Sequence, residues 1–402
     1  MTPQTTTTVT PALPEGRQHL RILIAYSYSM HYRLGVFRAL LDHPDVDVTI
    51  AAGNTAPATR FWARGATAGT PIEAADLPEL QWHRTIPLGP VVFQPGLLRR
   101  SLSSRYDVVV WDPSMHCLTM WLSSLVIRAR GQSLVYWGLG WTKPHGPVKE
   151  RLKVAGFALA HGFLAYGRRS AELGIAAGYP ARRLHVVGNS LPDSEAARGV
   201  AAADFAPTDP LVLGVALRLT ARKRVDLLLQ AVAELNARGV PTRAIIVGDG
   251  EQADALRRLA AELGVDAEFT GALYEAEQIA AYYEQIHLSV IPGHAGLTVL
   301  GSLMHGRPVI THDNPEHHAA EWEAIRPGVS GAFFAESDVA ALVEAILQMR
   351  EPLLAGPDAR RRVSQACRAD YREHGLPQAH AQRVIGAVQD VVTSRLGQAL
   401  QR

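Results

Sequence analysis

The stretch Leu288-Ser-Val-Ile-Pro-Gly-His-Ala-Gly-Leu-Thr-Val-Leu-Gly-Ser-Leu-Met-His-Gly-Arg-Pro-Val-Ile-Thr311 decides the fold. Leu288-Ser-Val-Ile291 is a short, mostly apolar run of the kind that forms a strand covered on both faces. Gly293 and Gly296 permit a tight turn, a helix follows, Gly306 closes it, and Pro308-Val-Ile-Thr311 is the next strand. Strand, helix and strand in succession make a parallel crossover, the building block of a doubly wound α/β sheet. The same pattern extends towards the amino end in Leu211-Val-Leu-Gly-Val215, Ala244-Ile-Ile-Val247 and Ala267-Glu-Phe-Thr270, with helices predicted over 225–238 and 252–263 and closed by Gly239 and Gly264. An earlier series repeats it: Arg21-Ile-Leu-Ile-Ala-Tyr26, Val46-Asp-Val-Thr-Ile50, Asp107-Val-Val-Val-Trp111, Ser133-Leu-Val-Tyr-Trp137, Gly162-Phe-Leu-Ala-Tyr166 and Leu184-His-Val-Val187, with helical spacing over 33–41.

Two tandem doubly wound, Rossmann-like α/β domains are therefore expected: 19–190, and 211–375 after a Gly/Pro/Ser/Asp-rich linker at 191–210. Residues 376–402 are expected to form a helix that packs back on the first domain, and 1–18, rich in Thr and Pro, reads as a disordered leader. Such a pair of domains would bind ligands between the carboxyl ends of its two sheets.

A chain of 402 residues is long enough for separate cores, and its two cysteines, Cys117 and Cys367, lack any CxxC or Cys/His ladder, excluding a disulfide-stapled fold and a structural zinc site. Lys plus Arg (40) against Asp plus Glu (38) gives no overall basic field, so no nucleic-acid partner is expected. Asp112, Pro113 and His116 interrupt the most membrane-like stretch, 108–127, and a cytoplasmic location is expected.

The chemistry-bearing residues fall at predicted strand ends. Arg218 and Lys223, in Ala216-Leu-Arg-Leu-Thr-Ala-Arg-Lys-Arg-Val225, can hold a diphosphate, with arginine as a planar fork and lysine as a point charge; an ordinary basic loop is the alternative. Gly248 and Gly250 form a glycine turn without G-x-G-x-x-G or Walker spacing. The turn carrying Gly293, His294 and Gly296, with the helix start at Leu297, offers free N–H groups to an anion, although glycines there equally serve packing. His312-Asp-Asn-Pro-Glu-His-His318, with Glu321 and Glu323, lacks any recognised metal-ligand spacing; several of its members are expected to face solvent, and no metal site is expected. In the first domain, Trp111-Asp-Pro-Ser-Met-His116 and Tyr136-Trp-Gly-Leu-Gly-Trp141 are expected to reach the ligand site. There Asp112 and His116 are candidates for acid–base work, and a helix cap is the competing role for Asp112.

In order and spacing, several pieces together resemble the family-4 retaining glycosyltransferases of the GT-B fold. They are the Arg218/Lys223 pair, Val247-Gly-Asp-Gly250, Phe269-Thr-Gly271, the run from Gly296 to Ile310, and Glu323-Ala-Ile-Arg-Pro-Gly-Val-Ser-Gly331. The resemblance implies that Gly248, Gly250, Thr270, Gly293, His294, Gly296, Leu297, Glu321 and Glu323 lie on the donor side, with Arg218, Lys223, Asp112 and His116 as the catalytic set. Two glutamates that the family carries eight positions apart fall here on Gly293 and Gly301, so the carboxylate that typically holds the nucleotide ribose is missing. Glu323 is the first candidate to replace it and Glu321 the second. A family histidine in the first domain corresponds to Leu139, and a Gly-Gly loop is replaced by Ser29-Met-His-Tyr-Arg33.

The implied activity is transfer of a hexose-type sugar from a nucleotide diphosphate donor to an acceptor hydroxyl with retention, in glycan, glycolipid or glycosylated-metabolite synthesis. It needs neither metal nor cofactor if cations and helix dipoles carry the leaving charge. The missing carboxylates keep open a catalytically weak or silent homologue that binds a partner; a nucleotide-sugar epimerase is a third reading. Pro90-Val-Val-Phe-Gln-Pro-Gly-Leu-Leu-Arg-Arg100 with Arg105 mixes apolar and basic residues, as suits a lipid-linked saccharide acceptor and peripheral contact with the inner membrane face.

Overall fold

The structure is a computed structural model describing residues 19–54, 72–200 and 210–400. The expected leader at 1–18 and residues 201–209 of the expected linker lie outside them. The chain forms two compact units, one ending at Val187 and completed by residues from His380 on, the other Gly188–Ala379.

The first unit runs β1 (Leu20–Tyr26), α1 (Leu34–Leu41), β2 (Val46–Gly53), β3 (Gln81–His83), a hairpin of β4 (Ile86–Leu88) and β5 (Val91–Phe93), α2 (Pro95–Ser101), β6 (Val108–Trp111), α3 (Leu118–Ala129), β7 (Ser133–Gly138), α4 (Pro147–Phe157), β8 (Gly162–Ala165), α5 (Arg168–Ala176) and β9 (Leu184–Val186). Its sheet is parallel, in the order β3-β2-β1-β6-β7-β8-β9, with Ile22 between Val48 and Val108. The second unit runs α6 (Glu195–Gly199), β10 (Leu211–Ala216), α7 (Val225–Ala237), β11 (Thr242–Val247), α8 (Ala253–Glu262), β12 (Ala267–Gly271), α9 (Ala276–Gln285), β13 (Leu288–Ile291), α10 (Leu297–Met304), β14 (Val309–His312), β15 (Gly331–Phe334), α11 (Val339–Leu354) and α12 (Pro357–His374). Its sheet is also parallel, in the order β12-β11-β10-β13-β14-β15. A last helix, α13 (Pro377–Leu400), lays His380 edge-on against Trp137, with ring centroids 5.4 Å apart, and places Val391 on Gly162.

The two-fold Rossmann-like reading holds, because near-continuous apolar runs can only be parallel strands with helices on both faces. In each sheet the strand order reverses once, between β1 and β6 and between β10 and β13. Loops leaving the carboxyl ends of strands at such a reversal diverge and leave a crevice, so these two places are where ligands of open α/β sheets bind.

Several expectations are corrected. The stretch taken as linker contains α6, and Ala197 is fully buried in the second unit's core beside Leu300 and Leu303. Arg368 holds this segment by donating to the carbonyls of Ala197 and Val200 at 3.0 and 2.6 Å. The aromatic residues expected at a ligand site, Trp111, Tyr136, Trp137 and Trp141, are core residues. Val92 and Leu97, apolar members of the stretch expected to touch a membrane, are buried as well. Among the described residues no helix is long and apolar enough to cross a membrane.

Candidate functional site

The site builds up from two loops of the second unit. After β10 the chain runs beside the turn that follows β11: the Leu217 N–H donates to the Val247 carbonyl at 3.0 Å and the Leu219 N–H to the Asp249 carbonyl at 2.9 Å. A Cβ on Gly248 (φ 134°) would sit 1.8 Å from the Leu217 oxygen, and one on Gly250 2.3 Å from the Leu219 oxygen. These glycines are therefore required by loop-on-loop packing that carries Arg218 to its place. The loop after β13 docks on the other side: the His294 N–H donates to the Arg222 carbonyl at 3.0 Å, and a Cβ on Gly293 would lie 2.3 Å from that same oxygen.

Lys223 ties the bundle together. It is 7% exposed and its Nζ donates to the His294 carbonyl at 2.6 Å. Burial first and Arg222 second press its pKa down to about 8, against the opposing charge of Glu321. Glu321, also buried, accepts through Oε1 from Asn189 Nδ2 at 2.6 Å. His294 is held near pKa 3, by burial first and then by Lys223 and Arg222, so it is neutral at pH 7. Its Nδ1 is buried with no hydrogen-bond partner among the described residues. The ring stands over Gly296, the residue before α10, where no side chain caps the free N–H groups. Arg218 is exposed, and its guanidinium makes no hydrogen bond among the described residues. A buried cation, exposed cations, an uncapped helix start and a neutral imidazole with an orphaned nitrogen form a place for a polyanion bearing hydroxyl groups.

Other candidates separate from this group. Thr270, at the end of edge strand β12, spends its hydroxyl on the Gly271 carbonyl at 2.9 Å. Glu321 and Glu323 share a 3-10 turn, Ala320–Ala324, but only Glu321 is buried, with Asn189 and the charge of Lys223 beside it. Gly301 is covered: a Cβ there would meet the Tyr283 hydroxyl at 3.3 Å and Leu191 Cδ2 at 3.7 Å. In the histidine-rich turn Asp313, Glu316 and His317 are exposed as expected, whereas two histidines are not. His312 and His318 are buried and stacked at 3.9 Å, and His318 accepts the Ala295 N–H through Nδ1 and bonds the His312 carbonyl through Nε2. Those imidazoles brace the loop that carries His294.

In the first unit, Asp112 follows β6 and accepts from the Ser27 hydroxyl at 2.8 Å, at the reversal between β1 and β6. It caps no helix; α3 begins after Cys117 with no side-chain cap. Burial raises the Asp112 pKa, while the bond from Ser27 and the charge of Arg33 oppose the rise. His116 offers its carbonyl to the Val92 N–H at 2.9 Å, a structural bond. Sequence reasoning missed Arg33, fully buried and enclosed by the rings of Tyr26, Tyr32, Trp137 and Tyr166. It also missed Asn189, at the very end of the expected first domain, and His380. Each depends on contacts between distant segments, and only the aromatic density after β1 and β7 was a signal.

Residues 210–351 match the family model described as Glycosyl transferases group 1. No curated protein matches the sequence. Solved structures resemble it over nearly its whole length. The apo lipopolysaccharide outer core galactosyltransferase WaaB is 15% identical with a TM-score of 0.66, covering 92% of this chain and 99% of that one. HepE from Anabaena, solved with UDP, is 17% identical at 0.64, covering 91% and 98%. A glycosyltransferase from Rickettsia africae is 12% identical at 0.68, covering 93% and 99%. Identities this low establish the fold alone, and with two parallel Rossmann-like sheets that fold is the one shared by GT-B glycosyltransferases.

Proposed function

We propose that the protein is a glycosyltransferase that takes a hexose-type sugar from a nucleoside diphosphate donor and passes it to an acceptor hydroxyl with retention of configuration. The observation that carries this reading is the desolvated Lys223 ammonium beside the neutral, unpartnered His294 Nδ1 and the uncapped start of α10. The group 1 match spans these residues, and HepE with UDP and the pneumococcal transferase GtfA with UDP and GlcNAc share the fold.

In the reaction the bond from the sugar C1 to the diphosphate oxygen breaks and the acceptor oxygen bonds to C1. Negative charge gathers on the departing diphosphate, where Arg218, Lys223 and the N–H groups of α10 stabilise it. His294, uncharged, hydrogen-bonds a donor hydroxyl without repelling the neighbouring cations. The acceptor's proton passes to the departing diphosphate oxygen as that oxygen gains charge. Glu321 keeps Lys223 charged. These cations supply the charge neutralisation that a divalent metal would otherwise provide, so turnover should persist in EDTA; activity abolished by EDTA and restored by magnesium would contradict this part.

Gly301, covered by Leu191 and Tyr283, supplies no carboxylate to a ribose. That favours a second reading, a homologue that binds donor but turns over slowly. Thermal-shift screening of UDP-, GDP- and ADP-sugars followed by product analysis separates the two. A donor at about 100 times its dissociation constant adds about 2.7 kcal/mol of stability. Stabilisation with sugar transfer supports the enzyme, stabilisation without it the silent homologue, and no response to any donor removes both.

A further inference from the structure

The first unit carries a second, unrelated concentration of positive charge at the amino ends of its strands, the end of the sheet opposite Ser27 and Asp112. A cavity of about 140 Å³ lies there, lined by His161, Arg182, Arg183, His185, Ser394 and Arg395 together with Val391. That volume far exceeds the roughly 10–15 Å³ needed by one water. His161 immediately precedes β8, Arg182 and Arg183 precede β9, and Arg395 reaches across from α13 to donate to the hydroxyl of Ser133, the first residue of β7, at 2.8 Å. At its floor α13 is seated so closely on β8 that a Cβ on Gly162 would lie 2.4 Å from Val391.

The lining contains no carboxylate. Among the described residues, Arg128, Arg182, Arg183 and Arg395 form no ion pair, and the charge of Asp390 acts on His185. His161 is driven down to about pKa 3 by burial first and then by Arg395, Arg128 and Arg183, and Arg395 is lowered by burial and by Arg128. Like charges gathered around a cavity whose lining holds no carboxylate repel one another, and an anion in the cavity relieves that repulsion. Hydrogen-bonding groups are available too. His161 Nδ1 accepts the Leu134 N–H at 3.1 Å, which leaves Nε2–H as the donor of the neutral ring. Arginine forks match tetrahedral oxyanions in geometry as well as charge.

We propose that this cavity binds a phosphate group, either free phosphate or the phosphomonoester headgroup of an anionic lipid, at a site separate from the one that would hold the donor. The test uses inorganic phosphate, titrated calorimetrically at constant ionic strength, and phosphatidylcholine vesicles with and without phosphatidic acid. Each is applied to the full chain and to an Arg182→Gln/Arg183→Gln variant; Arg182 is exposed and Arg183 half-buried, and neither side chain makes a hydrogen bond among the described residues. Loss of charge-assisted bonds should weaken phosphate binding at least about tenfold. In chloride alone the variant should melt at the same temperature as the parent or higher, since repulsion has been removed. Phosphate binding lost in the variant, without vesicle binding, assigns a soluble ligand. Cosedimentation with phosphatidic acid vesicles, lost in the variant, assigns a headgroup. If neither probe binds the parent chain, or both bind parent and variant equally, the proposal is wrong.

Discussion

Lys223 and Arg218 do different work although both are cations on one loop. Lys223 is buried and tied to the His294 carbonyl, whereas Arg218 is exposed and makes no such tie. Arg218→Ala should therefore weaken donor binding by about tenfold, the loss of one charge-assisted bond, and leave the melting temperature unchanged. Lys223→Ala should lose more affinity and also lower the melting temperature; calorimetric titration with UDP and a thermal melt on both variants check this. The protonation of Lys223 gives a second expectation. With a pKa near 8, it loses its charge as pH rises through that value, so the donor Michaelis constant should climb above pH 8. Glu321→Gln removes the charge that supports the ammonium and should move that climb to lower pH, which a KM-versus-pH series reads directly. An unmoved profile would show that Glu321 does not act on Lys223.

At the scale of elements, two glycines with positive φ separate conformation from packing. Gly264 closes α8 at φ 64° with nothing within 4 Å of a Cβ, so Gly264→Ala should cost about 1 kcal/mol for the left-handed backbone alone. Gly248→Ala adds a collision with the Leu217 carbonyl and should cost several times as much, displacing the loop that carries Arg218. Urea melts of both variants measure the difference. The same contrast explains what the sequence disclosed. Apolar runs such as Ile22–Ile24 in β1 and Val108–Val110 in β6 announce strands, because burial on both faces leaves no room for polar alternation. β3, β4 and β5, three residues each, and β15, a Gly-Ala-Phe-Phe segment, carry too little pattern to be seen. In the site, the cations and glycine turns were legible from their places after predicted strands. Which of Glu321 and Glu323 joins Lys223 was not, because successive side chains of one tight turn point in different directions and only the fold tells which is covered.

Across the whole molecule, burial of neutral imidazoles sets the response to acid. His305 and His318 are held near pKa 4 and His380 well below its ordinary value, in each case chiefly by burial. The unfolded chain takes up protons on these rings from about pH 6.5 and the folded one does not. Stability is therefore complete above that pH and should fall by about 1.4 kcal/mol per pH unit for each ring as pH drops towards 4. Equal melting temperatures at pH 7 and pH 5 would contradict this. The return of α13 matters as much. Val384, Ile385, Val388 and Val391 are buried with the first unit, and at about 1.5 kcal/mol or more apiece they match much of a domain's typical stability of about 5–15 kcal/mol. Deleting residues 380–402 should make the first unit aggregate, while a 188–379 fragment keeps its helical circular-dichroism signal. On the ribosome the consequence is an inversion of the usual order, in which amino-terminal domains are finished first. The strands of the first unit emerge early yet lack the helix that covers Trp137 and Gly162, whereas the second unit is complete as soon as Ala379 has emerged. The unit that emerges earlier therefore waits on the later one, with Trp137 uncovered until α13 has followed, a surface that a chaperone would have to shelter.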